Sequence, residues 1–197
     1  IQKSKYNASV IVPAYNSAST IAECLQSLLK QDYSGNYEII VVDDGSSDNT
    51  VKTIKNFEKA RLIKQRHLGP AIARNKGAKL AKGKLLVFTD SDCVAKTNWL
   101  KEMLKPFKDP TIVGVQGRYL TKQKELSARF AQLEIEDRYV RMKRHHFIDF
   151  VGSYSAAYRR EIFKEFRGFD ESFPMASGED PELSYRISVA GYKLVFN

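Results

Sequence analysis

Leu85-Leu86-Val87-Phe88-Thr89-Asp90-Ser91-Asp92 is the stretch on which the reading of this chain turns. An apolar run that leads at once into two carboxylates one residue apart describes a buried strand surfacing at an acidic rim. Two carboxylates so placed do not stay ionised cheaply without a partner. A cation, a cationic side chain or a shared proton would serve. Oxygen ligands in this pattern suit a hard ion such as Mg²⁺ or Mn²⁺, and a hard ion favours a phosphate-bearing substrate.

The pattern recurs toward the N-terminus. Ser9-Val10-Ile11-Val12 ends at Pro13 and is followed by Tyr15-Asn16; Ile39-Ile40-Val41-Val42 runs into Asp43-Asp44-Gly45-Ser46. Helical spacing lies between them at Ile21, Cys24, Leu25, Leu28 and Leu29, with Thr20 and Glu23 at capping-box separation. A weaker helix through Val51, Ile54 and Phe57 precedes a short strand at Leu62-Ile63. Gly69-Pro70 opens a helix toward Leu80, since proline is tolerated in a first turn. Beyond Phe88, Trp99, Leu100, Met103, Leu104 and Phe107 mark a helix, and Ile112 to Val115 a strand. Strands this apolar alternating with helices predict an α/β fold, with a mostly parallel central sheet flanked by helices.

The second half reads differently. A long charged helix is expected over 123–146, with Leu126, Phe130, Leu133, Val140 and Phe147 roughly on one face packed against the sheet. An aromatic, glycine-rich stretch to about Met175 carries no assigned element, and a helix follows from about Asp180 to Ala190. Tyr192 to Asn197 looks like a strand cut short, as in a domain excised from a longer protein.

With 197 residues, 43% hydrophobic and 28% charged, the chain is long enough for one sizeable α/β domain and is neither disordered nor fibrous in composition. No apolar run approaches the ~20 residues of a membrane helix, and the first residues do not form a signal peptide. Cys24 and Cys93 make no disulfide framework; two free thiols fit a reducing, cytoplasmic location. The net charge of +9 is densest at Arg138, Arg141, Lys143 and Arg144. Nucleic acid, anionic lipid or a nucleotide diphosphate would each exploit it, and a plain solvated surface needs no partner.

Polar clusters close three apolar strands, and ligands of open parallel sheets bind beyond the carboxyl ends of the strands. The clusters therefore converge on one rim. Asp43 to Ser46 also reads as a turn with a helix cap downstream at Ser47 or Asp48, and Asn16 as a turn residue. Arg74, on a helix of small residues, reads either as a bidentate contact to phosphate or carboxylate or as a surface ion pair. Glu179 and Asp180 open a helix after Ser177-Gly178; they read as a cap or as carboxylates presented to a cleft, where a general base needs access. His67 is assigned no chemistry, and His145-His146 reads as the solvated end of a basic helix.

VIVPAYN, VVDDGSSDNT, GPAIARNKG, FTDSD, GFDESF and GEDPELSYRI occur in that order. From about Ala8 to Phe196 the chain resembles the inverting family 2 glycosyltransferases of the GT-A fold. The resemblance implies a metal-dependent enzyme that moves a sugar from a nucleotide-diphosphate sugar, most often a UDP-sugar, to the hydroxyl of a sugar or lipid-linked acceptor. Glycan, polysaccharide or glycolipid synthesis would be its setting, without nucleic acid as a partner. It divides the single domain into a nucleotide-sugar half over about 1–92 and an acceptor half over about 93–197. It also implies site residues: Pro13, Tyr15, Asn16 and Asp44 around base and ribose, and Arg74 at the nucleotide or diphosphate. Asp90 would lie near the ribose or donor sugar, Asp92 on Mg²⁺ or Mn²⁺, Glu179 at the acceptor, and Asp180 would be the base. The Arg-rich end of the long helix is expected to meet a membrane surface, on the cytoplasmic face.

Two rivals make different demands. An aspartate-nucleophile phosphatase also places Asp-x-Asp after an apolar strand, but usually the first one, and leaves Pro13 and Asp44 idle. A non-catalytic nucleotide-sugar-binding module keeps Asp44 and Asp92 and has no use for Asp180.

Overall fold

The computed structural model describes residues 5–121, 123–173 and 178–197. Its strands are β1 (Ala8–Ala14), β2 (Tyr37–Asp43), β3 (Ala60–Lys64), β4 (Leu85–Thr89), β5 (Ile112–Gln116), β6 (Ser155–Arg159) and β7 (Lys193–Phe196). The helices are α1 (Ile21–Leu29), α2 (Thr50–Ile54), α3 (Pro70–Leu80), α4 (Trp99–Leu104), α5 (Leu126–Met142), α6 (Arg160–Glu165) and α7 (Glu179–Val189). The strands form one sheet in the order β3-β2-β1-β4-β6-β5-β7. Only β6 runs antiparallel to its neighbours.

Alternate strand residues feed two cores, as a pleated sheet covered on both faces requires. Val10, Val12, Ile39, Val41 and Val87 pack with α1, α2 and α4. Ile11, Ile40, Val42, Leu86 and Phe88 pack with α3, α5, α6 and α7. The small residues of α3 let it lie almost on the sheet: a Cβ on Gly77 would meet Ile11 Cγ2 at 2.5 Å. Pro13 is tolerated inside β1 because pairing to β4 ends at Ile11–Phe88, which leaves β2 as the only paired neighbour there.

Three expectations are corrected. The stripe on the long helix does not pack on the sheet: Leu126, Phe130, Leu133, Val140 and Phe147 are all exposed. Gln132, Tyr139 and Met142 form the buried face instead, and the polar groups of Gln132 and Tyr139 have partners there. The Gln132 side chain accepts from Thr121 N at 2.7 Å, and Tyr139 Oη accepts from Tyr119 N at 2.7 Å. The Thr20–Glu23 capping box is absent; Ser17 O instead accepts from Thr20 N and Ile21 N. β6 and α6 occupy sequence to which no element was assigned. The Ser177 part of the approach to Gly178, and Met175 with it, lies outside the described residues. Among the described residues no helix is long and apolar enough to cross a membrane.

Candidate active site

The strand order doubles back at β1, with β2 and β3 on one side and β4 on the other. Pairing of β1 with β2 continues to Ala14–Asp43, while pairing with β4 stops at Ile11–Phe88, so the loops after β1 and β4 part at the rim. Such a switch point is where open α/β sheets bind ligands. Ser17 Oγ and Ser91 Oγ meet across it at 2.7 Å.

On the β2 side the polar residues mostly hold one another. Asn16 adopts a left-handed φ of 47°. Its N–H donates to Ser46 Oγ and its Oδ1 accepts from Ser47 N, each at 2.9 Å. Asp48 accepts from Thr50 N at 2.9 Å ahead of α2, but the N-cap position of that helix is Asn49, not the Ser47 or Asp48 that one reading of this segment anticipated. Asp44 is only 2% exposed. Its Oδ1 accepts from Gln65 Nε2 at 2.7 Å and Leu68 N at 2.9 Å. Its Oδ2 accepts from Gly69 N and faces His67 Nδ1, both at 2.9 Å. The carboxylate thus ties the loop before α3 to the end of β2. That fixes His67, whose ring stacks on exposed Tyr15 at 4.0 Å between centroids. Tyr15 and His67 make an aromatic surface at this end of the crevice.

Beyond β4, Asp90, Asp92 and the Cys93 thiol bring their ligand atoms within 4.8 Å of one another. They border a cavity of about 150 Å³ completed by Tyr119, Ile135 and Tyr154. Burial, and then the nearby Asp90 and Asp92, push the Cys93 thiol up to about 12, so it keeps its proton. What remains is a carboxylate oxygen set, which fits a hard divalent ion. Asp90 Oδ1 also accepts from Arg74 Nη2 at 2.8 Å.

Arg74 is buried, which removes the surface ion-pair reading, and its guanidinium points to carboxylates. Nη2 reaches Asp90, while Nη1 donates to Glu179 Oε1 at 3.0 Å. Glu179 is itself 4% exposed. Asp180 follows it in the first turn of α7, which Gly178 enters at φ 101°, where a side chain would be strained. Asp180 Oδ2 accepts from Ser153 N at 2.9 Å and Ser153 Oγ at 3.0 Å; Oδ1 is buried with no partner among the described residues. Burial pushes this carboxyl up to about 6, against the pull of the Arg74 cation and the Ser153 hydrogen bonds.

Ser153, Tyr154, Tyr119 and His67 were not singled out in the sequence for this rim. Ser153 and Tyr154 reach it because antiparallel β6 begins where β4 ends, with Ser155 opposite Thr89. A search for polar residues after parallel strands passes them over. The one available signal was glycine-flanked Gly152-Ser153-Tyr154, a turn ahead of small residues. A larger cavity, of about 500 Å³, lies at the opposite rim around Asn7, Lys84, Leu104 and Arg159; among the described residues Glu102 is the one carboxylate that reaches it.

Residues 9–167 match the family described as Glycosyl transferase family 2. The chain is 31% identical over 200 residues to the pre-mycofactocin glycosyltransferase of Mycobacterium tuberculosis, covering 95% of this chain and 40% of that one. The fold is shared with mannosyltransferase PcManGT of Pyrobaculum calidifontis, solved with GDP-Man and Mn²⁺, at a TM-score of 0.77 and 24% identity. That match covers 99% of this chain and 55% of the other. Staphylococcus aureus TarS, solved with UDP, aligns at a TM-score of 0.74 and 23% identity over 97% of this chain and 57% of its own. The chain spans about two-fifths of the length of the curated relatives it matches.

Proposed function

The chain belongs to glycosyl transferase family 2 and has the GT-A fold, and from that premise we propose that it is a glycosyltransferase, which transfers a sugar from a nucleotide-diphosphate sugar to a hydroxyl acceptor with inversion, using a divalent metal. Family membership sets the phosphatase reading aside. The observation that carries the proposal is the pair of unlike carboxylate sites on one rim. Asp90 and Asp92 form an oxygen cluster, and Asp180 stands apart with one oxygen unclaimed.

Asp92, with Asp90 beside it, would hold Mg²⁺ or Mn²⁺, which neutralises charge gathering on a departing diphosphate. Tyr15 and His67 offer a stacking surface to the nucleobase, and Asp44 keeps that surface in place through the loop before α3. Asp180 takes the acceptor hydroxyl's proton at Oδ1, while Ser153 occupies Oδ2 and fixes the plane of the carboxylate. With its value near 6, the base is ionised at neutral pH and close enough to it to accept a proton effectively. Attack from the side opposite the leaving group inverts the anomeric centre, and no covalent enzyme nucleophile is required. A UDP-sugar is favoured because UDP occupies related TarS; GDP-Man in PcManGT is the counter-example. The outward face of α5, which exposes Phe130, Leu133 and Val140 on the helix whose end carries exposed Arg138, Arg141, Lys143 and Arg144, supports contact with an anionic membrane surface carrying a lipid-linked acceptor.

The test is a thermal-shift panel of UDP, GDP, dTDP and CDP with and without Mn²⁺, paired with turnover by Asp180→Asn. One nucleotide should stabilise the protein only when Mn²⁺ is present. The variant should bind it normally and lose about 10²–10⁴-fold in turnover. Normal turnover by Asp180→Asn would remove the base from the proposal.

A further inference from the structure

Arg74 bonds Asp90 of the oxygen cluster and Glu179, the residue next to Asp180, and so links the two carboxylate sites. It lies on α3, in the nucleotide-side half, yet forks between Asp90 at the end of β4 and Glu179 at the start of α7. Both bonds are charge-assisted; the Arg74–Glu179 bond is almost wholly buried and shielded from water, while Asp90, 34% exposed, keeps one face toward the crevice. The helix beneath is held on two sides. Gly77 seats α3 against Ile11 of β1. Asn75 Nδ2 donates to Phe169 O at 2.8 Å while its Oδ1 accepts from Phe169 N at 3.0 Å, clipping α3 to the chain ahead of α7. The Phe169 ring lies 5.9 Å from the guanidinium.

A planar fork with two occupied ends fixes a distance as well as a charge balance. An ammonium group offers the charge without the fork. Asp90 and Glu179, if unpaired, would repel each other at the place where the two halves of the site must meet. We propose that Arg74 is a positioning residue that holds the base-bearing end of α7 against the metal-binding end of β4 by bonding Asp90 and Glu179 at once, and that it does not bind the diphosphate of the sugar donor. The role rests on the reading of Asp180 as base.

The charged and titratable groups around Asp180 give the tie a signature of its own. They are Arg74 on α3, Glu179 on α7, Tyr154 ahead of β6 and Tyr158 on β6. Arg74 pulls the Asp180 carboxyl down and Glu179 pushes it up. Removing either partner breaks the same tie but moves Asp180 in opposite directions.

Carboxyl ¹³C NMR titration of the protein without ligands, with Asp180 assigned by its loss in Asp180→Asn, reads this directly. The midpoint should rise in Arg74→Gln, fall in Glu179→Gln and stay near the parent value in Arg74→Lys. Affinity for UDP with Mn²⁺ should change less than about threefold in all three variants. Turnover of UDP-sugars, or of GDP-sugars if GDP is the nucleotide bound, should fall at least tenfold in all three, Arg74→Lys included. If Arg74→Gln does not fold, Glu179→Gln and Arg74→Lys test the same tie. Loss of nucleotide affinity in step with turnover would overturn the proposal, and so would midpoints that move together or not at all. Failure of the base reading is separate: it appears as normal turnover by Asp180→Asn.

Discussion

Asp44 and Asp180 sit on the same rim and are both largely removed from water, yet they are built for opposite purposes. Asp44 is met by Gln65 Nε2, Leu68 N, Gly69 N and His67 Nδ1, so both of its oxygens are satisfied. Among the described residues, Asp180 receives Ser153 on one oxygen and nothing on the other. A buried carboxylate with every lone pair engaged organises its surroundings. One left half-satisfied is costly to keep ionised and ready to take a proton. The difference lies in what approaches: a loop folding back supplies backbone N–H groups to Asp44, whereas α7 presents Asp180 to a single serine.

The contrast predicts opposite signs for similar substitutions. Asp44→Ala strands several buried donors at once and should cost on the order of 3–5 kcal/mol in urea unfolding, with the Tyr15–His67 surface lost along with it. A loss below about 1 kcal/mol would mean that the loop before α3 does not depend on this carboxylate.

Asp180→Asn should instead stabilise the protein at pH 7. The folded carboxyl titrates near 6, above the ordinary carboxylate value of about 3.9. The folded state therefore binds the proton more tightly, and stability falls as pH rises from about 4 through about 6. Removing the charge should return about 1–3 kcal/mol at neutral pH and flatten the pH dependence of the thermal midpoint in that window. An unchanged slope would show that Asp180 is not held in its ionised form at a cost.

The same contrast explains what the sequence could reveal. Asp44, Asp90 and Asp92 follow apolar runs that can only be buried parallel strands, so the rim they share is legible from strand ends alone. Asp180 is legible as an acid opening a helix. Its partner Ser153 is not, because β6 enters antiparallel and delivers residues to the rim from its beginning. The pattern Ser155-Ala156-Ala157-Tyr158 is too small and too weakly apolar to announce a strand, although the sheet buries it completely. Arg74 was visible as a candidate for a carboxylate or phosphate contact. Only the packing of α3 shows that its two ends are taken by residues 16 and 105 positions away.

α5 is where periodicity misled, and it gives the smallest effect to measure. Leu126, Phe130, Leu133 and Val140 follow helical spacing as a core stripe would, yet they point away from a face made of Gln132, Tyr139 and Met142. Hydrogen bonds to Tyr119, Thr121 and Tyr154 decide the rotation of the helix, since turning it over would take the Tyr139 and Gln132 acceptors away from the Tyr119 and Thr121 N–H groups and the Tyr139 hydroxyl away from Tyr154. A stripe packed on the sheet would lose about 3–5 kcal/mol per large side chain truncated. An outward stripe should lose almost nothing. Phe130→Ser with Leu133→Ser is therefore expected to shift unfolding free energy by less than about 0.5 kcal/mol, while Tyr139→Phe costs about 1 kcal/mol. The double variant should also float less with anionic vesicles than the parent chain does. A large stability loss in it would restore the core stripe and remove the outward face on which membrane contact depends.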